Sequence, residues 1–190
     1  MLRLIHLLIG LMWLVLLVYW LVSASRSKAN AATQPSYGWP LRLAFLGLIL
    51  VVVRLRPLRR ALRAAQLALQ SHAAVALTGL VLCALGLGLA LAARKHLGRN
   101  WGMPMSLKTE PELVTSGPYA YARHPIYGGM MLGMLGSSLG ENVFWVLPLV
   151  LFGGYFIGSA HREEQLMLAQ FPDSYPAYRA RTRRFIPFVI

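Results

Sequence analysis

Acidic residues are scarce in this chain. Six aspartates and glutamates stand against nineteen lysines and arginines, a formal net charge of +13. In a water-soluble protein that imbalance would point to nucleic acid. Here charged residues are only 13% of the sequence, about half the usual share. The basic ones flank apolar runs, so lipid headgroups and the positive-inside bias account for them, and nucleic acid is not an expected partner. Cysteine is nearly absent too. Cys83 alone, inside an apolar run, excludes a disulfide within the chain and a metal centre built from thiolates. The histidines, at 6, 72, 96, 124 and 161, share no HxxxH or HxH spacing, so no metal site is expected. Also missing is a G-x-G-x-x-G turn opening a helix after a strand. Gly86 and Gly88 lie mid-span, where helix packing explains them.

What the chain has in abundance is apolar length. Hydrophobic residues make up 57% of it, concentrated in runs that approach the roughly 20 residues needed to cross a bilayer. Leu4–Val22, Leu41–Val53, Ala73–Ala93, Ile126–Leu139 and Val143–Gly158 read as five crossings, the second being short. The first is longer than the apolar core of a signal peptide, so the small-residue stretch Ala29-Asn30-Ala31 reads as loop rather than cleavage site. Arg54, Arg56, Arg59, Arg60 and Arg63, interleaved with Leu55, Leu58, Leu62 and Leu67, suit an amphipathic surface helix. Arg94, Lys95 and Arg99 are expected to close off the third span. The last two spans, joined at Gly140-Glu141-Asn142, predict a helical hairpin. Gly129, Gly133, Gly136 and Gly140 fall on one helix face, and Gly154 and Gly158 offer a matching groove on the hairpin partner. The expected fold is all-α, a polytopic membrane helix bundle of about five transmembrane helices. It divides into a three-span region, 1–93, and a core, 94–190, that carries the C-terminal hairpin. Thirteen of the nineteen basic residues fall on the side of segment 94–125 and the tail, which places that side in the cytoplasm and the N-terminus outside.

Two polar features interrupt this apolar pattern. The segment Leu113–Tyr127, LVTSGPYAYARHPIY, is bracketed by prolines that forbid a continuous helix and leave backbone N–H groups free for ligands. Past the last apolar run come His161-Arg162-Glu163-Glu164, with two of the six acidic residues side by side. A hairpin returns both features to one side of the membrane. Ionisable groups at that depth are costly unless they bind something. Residue physics alone leaves two readings open: a polar ligand site, or an interfacial belt with a surface ion pair between Arg123 and Glu163.

The stretches Ser116-Gly117-Pro118-Tyr119, Arg123-His124-Pro125-Ile126-Tyr127 and Glu163-Glu164 with Leu166, Phe171, Tyr175, Tyr178 and Pro187 resemble the signature of the isoprenylcysteine carboxyl methyltransferase family. Its superfamily includes phospholipid N-methyltransferases. The resemblance covers roughly residues 94 to 188. It implies a membrane-embedded enzyme using S-adenosyl-L-methionine, leaving S-adenosyl-L-homocysteine, with a cytoplasmic cofactor pocket closed by the RHPxY loop and the C-terminal helices. Glu112, Leu113 and Val114 would then lie on the adenine side, and Tyr119, His124, Pro125, Ile126 and Tyr127 would line the cofactor. Glu163, with Glu164 beside it, would hold a polar cofactor group. Arg123 and Glu163 are the residues expected to act in catalysis, Arg123 either pairing with the cofactor carboxylate or holding the loop through a backbone carbonyl. Where eukaryotic members carry an arginine one turn before the glutamate, this chain has Ser159.

Methyl transfer from a sulfonium is an in-line displacement, which demands alignment and a desolvated nucleophile. A carboxylate acceptor is already ionised, whereas an amine would need a base, with His124 or Glu163 the candidates. The expected substrate is lipophilic, most simply the carboxylate of a prenylcysteine-like molecule. The alternatives are a phospholipid or other small acceptor methylated at nitrogen or sulfur, or a membrane NADPH-dependent sterol or enone reductase of similar architecture. Membrane lipids are the other expected partners. The expected location is a prokaryotic inner membrane, with the catalytic face in the cytoplasm.

Overall fold

The computed structural model describes residues 1–24, 30–33, 43, 47, 50, 51, 54–70, 72–101, 106–108 and 112–186. It is a helical bundle. We number its helices α1 (Leu2–Ala24), α2 (Arg56–Gln70), α3 (Ala73–Leu97), α4 (Pro125–Gly140), α5 (Val146–Gln170) and α6 (Tyr175–Arg181). A short antiparallel pair, β1 (Asn30–Thr33) with β2 (Ser106–Lys108), joins two of the connections. Among the described residues, three stretches are long and apolar enough to cross a membrane: Leu2–Ser23, Ala73–Asn100 and Val143–Gln170. Helix α4, at 16 residues, rises only about 24 Å at 1.5 Å per residue. The expected second crossing, 41–53, lies mostly outside the described residues.

The spine of the bundle is the contact of α3 with α4, and it is made of glycine. A methyl group built on Gly86 would lie 2.6 Å from the Gly129 carbonyl oxygen, and one on Gly79 would lie 2.6 Å from that of Gly136. The backbones of the two helices therefore touch, the arrangement small residues permit in lipid, where burial of apolar surface gives helices no reason to associate. This corrects the expectation for the hairpin. The face of Gly129, Gly133, Gly136 and Gly140 packs on α3, while Gly154 and Gly158 of α5 have no neighbouring atom within 4 Å of an added Cβ. The expected division at residue 93 thus falls inside α3, the helix that carries half of the spine.

Helix α1 lies across this pair through Ile5, Ile9 and Leu16, which pack with Ala76, Cys83, Leu87 and Ala90. Its opposite face, including Leu4, Leu7, Leu11, Leu14 and Leu21, is exposed, as a lipid-facing surface requires. One polar and one aromatic contact help fix the register: Trp13 Nε1 donates to Ser137 Oγ at 2.9 Å, and the Trp13 ring stacks on Trp145.

Arg94 does not close off α3 as a surface cation. The helix continues to Leu97, and Arg94 is 2% exposed. Its guanidinium donates to the carbonyls of Gly98 and Ser23 at 2.9 Å each and lies 4.4 Å from the centre of the Trp101 ring. Satisfying one carbonyl at the end of α1 and one just past α3 lets a buried arginine replace water there. The arginine-rich segment forms α2, as expected, and Gln66 anchors it to the turn between α4 and α5 by donating to the Glu141 carbonyl and accepting from Val143 N–H. The end of α1 at Ser23 and the anchor of α2 at Gln66 thus sit at opposite ends of the bundle.

Candidate active site

At the end of the bundle where α3 and α5 finish and α4 begins, the polar connector folds back between them. Ser116-Gly117-Pro118 enters a single 3₁₀ turn, Gly117–Ala120, with Gly117 at φ +58°. Only glycine suits this position, because the backbone is left-handed and a Cβ would lie 2.7 Å from the His96 ring. His96 Nε2 and Ser116 Oγ are hydrogen-bonded at 2.9 Å, fastening the turn to α3. Pro125 then opens α4 at the first helical position, where its missing N–H costs nothing.

The C-terminal tail holds the loop from the other side. Arg123 N–H donates to the Arg183 carbonyl at 2.8 Å, His124 N–H to the Arg184 carbonyl at 2.9 Å, and Arg183 N–H to Tyr121 at 3.3 Å. Tyr178 Oη donates to the Tyr119 carbonyl at 2.8 Å. Beneath this short ladder sits Glu164, 3% exposed. It accepts from Arg123 Nε at 2.9 Å and from Arg184 through both oxygens at 3.0 Å, with Arg179 at 3.8 Å. Arg123 also donates to the carbonyls of Thr182 at 2.5 Å and Arg179 at 3.2 Å. The Arg123 guanidinium thus bonds both the Glu164 carboxylate and backbone carbonyls of the tail, while Arg123 also lines the adjacent cavity.

Glu163, one residue away, turns about 100° around the helix and faces a cavity of about 500 Å³. Tyr127 Oη donates to its carboxylate at 2.6 Å, and the Tyr127 ring stacks between His124 and Phe156. The His124 imidazole spans both glutamates, Nδ1 at 3.5 Å from Glu163 and Nε2 at 3.5 Å from Glu164. Burial pulls its pKa down, but the two carboxylates more than offset that, so the net shift is upward. Burial pushes the Tyr119 and Tyr175 phenols well above their ordinary range and that of Tyr178 to about 12, so all three are neutral donors.

Among the residues singled out from sequence, Glu112, Leu113, Val114, Tyr119 and Arg123 line this cavity, and so do His124, Ile126, Tyr127 and Glu163. Pro125 and Glu164 do not. Both are buried behind the wall, Pro125 as the start of α4 and Glu164 as the centre of the arginine cluster. Sequence reasoning missed Trp20 and Trp101, which meet edge to face at 6.1 Å, and the aromatic face of α5. That face was detectable: Phe152, Phe156, Glu163, Met167 and Gln170 follow helical spacing, and all five line the cavity. Trp20 carries no such signal. It arrives from another helix, 143 positions before Glu163.

The sequence pattern of the phospholipid methyltransferase family matches residues 74–174, from the start of α3 to the threshold of α6. The chain belongs to that family. Its curated relatives have different names. Over 109 residues, 55% of the chain, it is 33% identical to the protein-S-isoprenylcysteine O-methyltransferase of Schizosaccharomyces pombe, and over 116 residues, 59% of the chain, 30% identical to that of Mus musculus. Over 104 residues, 53% of the chain, it is 34% identical to the cobalt-zinc-cadmium resistance protein CzcN of Cupriavidus metallidurans. The matched region spans 46%, 41% and 46% of those three proteins, less than half the length of each.

Proposed function

We propose that the protein is a membrane methyltransferase that takes S-adenosyl-L-methionine as donor and a lipophilic acceptor, foremost the carboxylate of a prenylcysteine-like molecule. One observation carries the reading. The RHPIY loop, Glu163 and the C-terminal tyrosines converge on a single cavity of about 500 Å³, within the usual range for cofactor pockets of about 300–1,000 Å³. The donor set suits the proposed cofactor. Aromatic faces at Trp20, Trp101, Tyr127 and Phe156 favour a cationic sulfonium. Glu163, and Glu112 with Asn100 hydrogen-bonded to it at 2.9 Å, offer oxygens to hydroxyl or ammonium groups. When bound, the donor supplies an electrophilic methyl group.

The chain's own residues then have distinct tasks. Tyr127 orients the Glu163 carboxylate, and His124 lies between the two glutamates, which favour its charged form and make it a poor general base. Arg123 and Glu164 are positioning residues that hold the loop. The apolar wall of Ile126, Met130 and Phe152 excludes water from the nucleophile. A carboxylate acceptor with a pKa near 3.5 is ionised without help, which fits a site whose histidine is occupied. An amine headgroup is the second reading, favoured by the family's description, and Glu163 would then take the proton. The positive-inside bias puts this end of the bundle in the cytoplasm.

Incubating membranes that contain the protein with methyl-labelled S-adenosylmethionine tests the reading. The expected product is lipid-soluble and loses its label as methanol in mild base, as a methyl ester does. A base-stable labelled lipid selects the amine acceptor. Binding of NADPH in place of S-adenosylhomocysteine in a calorimetric titration would overturn the methyltransferase assignment.

A further inference from the structure

A second cavity, of about 820 Å³, lies on the opposite side of the seam between α4 and α5. The two share Arg123 and otherwise draw on different residues. On α4, Gly128, Met131, Leu132 and Leu135 face this outer groove, whereas Tyr127 and Met130 face the inner one. Leu149 and Ile157 of α5 form the facing wall, and the groove is open toward the surface where Leu135, Val150 and Ile157 are exposed.

The rim has a different character. Arg179, Arg183 and Arg184 stand with Arg123 at the end nearest the tail. The carboxylate of Glu164 faces Arg123, Arg179 and Arg184, so one negative charge meets three positive ones there. Arg183 adds a fourth cation on the exposed side of the tail. Glu163 lines the inner cavity. A slot the width of an alkyl chain, ending in surplus guanidinium groups at the membrane boundary, is complementary to one kind of molecule. Guanidinium forks match phosphate oxygens in pairs, and basic pockets between transmembrane helices select anionic headgroups.

We propose that this outer groove is a binding site for an anionic phospholipid, with an acyl chain along Met131, Leu132, Leu135 and Ile157 and its phosphate at Arg179, Arg183 and Arg184. The site is separate from the methyl-donor cavity and belongs to the side of the membrane where the tail lies. A lipid there would screen the arginines that surround Glu164 and so brace the ladder that holds Arg123 and His124.

Native mass spectrometry and thermal unfolding of the whole protein in nanodiscs test it, with phosphatidylglycerol compared against phosphatidylcholine. The expected result is retention of one phosphatidylglycerol and a higher unfolding temperature in that lipid. Arg183→Gln, which removes a charge outside the Glu164 cluster, is expected to lower that retention about five-fold, the order one cation contributes at an anionic surface. Arg183→Lys should restore part of it. Leu135→Trp, which fills the groove and leaves every charge in place, should also release the lipid. Equal retention of the two phospholipids, or retention unchanged in both Arg183→Gln and Leu135→Trp, would overturn the proposal. The readout needs neither methyl donor nor acceptor, so it stands apart from the methyl-transfer reading.

Discussion

Two adjacent glutamates with opposite duties define this protein at the scale of single residues. Glu164 is a structural anion, and Glu163 is the carboxylate that a ligand would meet. Removing one partner of a buried charge cluster leaves the others uncompensated, which costs about 3 kcal/mol or more. Glu164→Gln is therefore expected to lower stability by about that amount in a thermal or denaturant titration. Glu163→Gln, at a carboxylate more exposed than Glu164, should lower stability less than Glu164→Gln, through its contacts with Tyr127 and His124. It should also weaken S-adenosylhomocysteine binding about ten-fold, the loss of one charge-assisted hydrogen bond of about 1.4 kcal/mol. His124 adds a pH signature. Its pKa is raised in the folded state above the ordinary value of about 6.5. The stabilisation it supplies is thus complete below that value and is lost as pH climbs through the raised one. The unfolding temperature should fall as the pH climbs from the ordinary histidine value of about 6.5 through the raised one, and His124→Gln should flatten that slope.

The same pair shows how far residues could be read without coordinates. The charge pair at 163 and 164 marked a site, and the prolines fixed where the loop must bend. Which glutamate turned inward could not be read, because that depends on arginines at 179 and 184 that are remote in the local pattern. Arg184 is the clearest case: its bidentate hold on Glu164 has no signature in a run that reads RTRRF.

At the scale of elements, glycine spacing predicted a close helix contact correctly and assigned it to the wrong partner. Four glycines at three- and four-residue intervals on α4 state only that some backbone comes near. Gly79 and Gly86 of α3, seven residues apart and so on one face, were the matching pair. Hairpin proximity favoured α5 instead, and α5 rests on α4 through larger side chains such as Phe156 on Tyr127. Gly136→Val places two methyl groups against the Cys83 backbone. It should destabilise the bundle by about 3 kcal/mol, the upper end for overpacking, readable as a lowered unfolding temperature. Gly154→Ala, which points a methyl group into open space, should leave it unchanged.

The whole molecule resolves a contradiction in the charge pattern. Arginines of α2 sit at the end of the bundle away from the site, on the side that carries the fewer basic residues. As an amphipathic helix lying on the surface, α2 does not need to obey the loop-counting rule. The aromatic wall of the cavity also depends on the far end of the chain, through Trp20. Trp20→Ala should raise the dissociation constant for S-adenosylhomocysteine about five-fold, roughly what one ring over a cation contributes. It should also lower the unfolding temperature, because the ring packs against both core clusters. Truncation after Tyr178 keeps every cavity residue but removes the strands of the ladder, and ligand binding should then be lost.

That ladder has a temporal meaning. Residues 183 and 184 are synthesised after α1 to α6, and until they dock, Arg123 and His124 lack the carbonyls that hold their backbone N–H groups. A nascent chain can thread its helices into the bilayer early and still possess no finished pocket, so assembly of the site waits for the segment that follows α6.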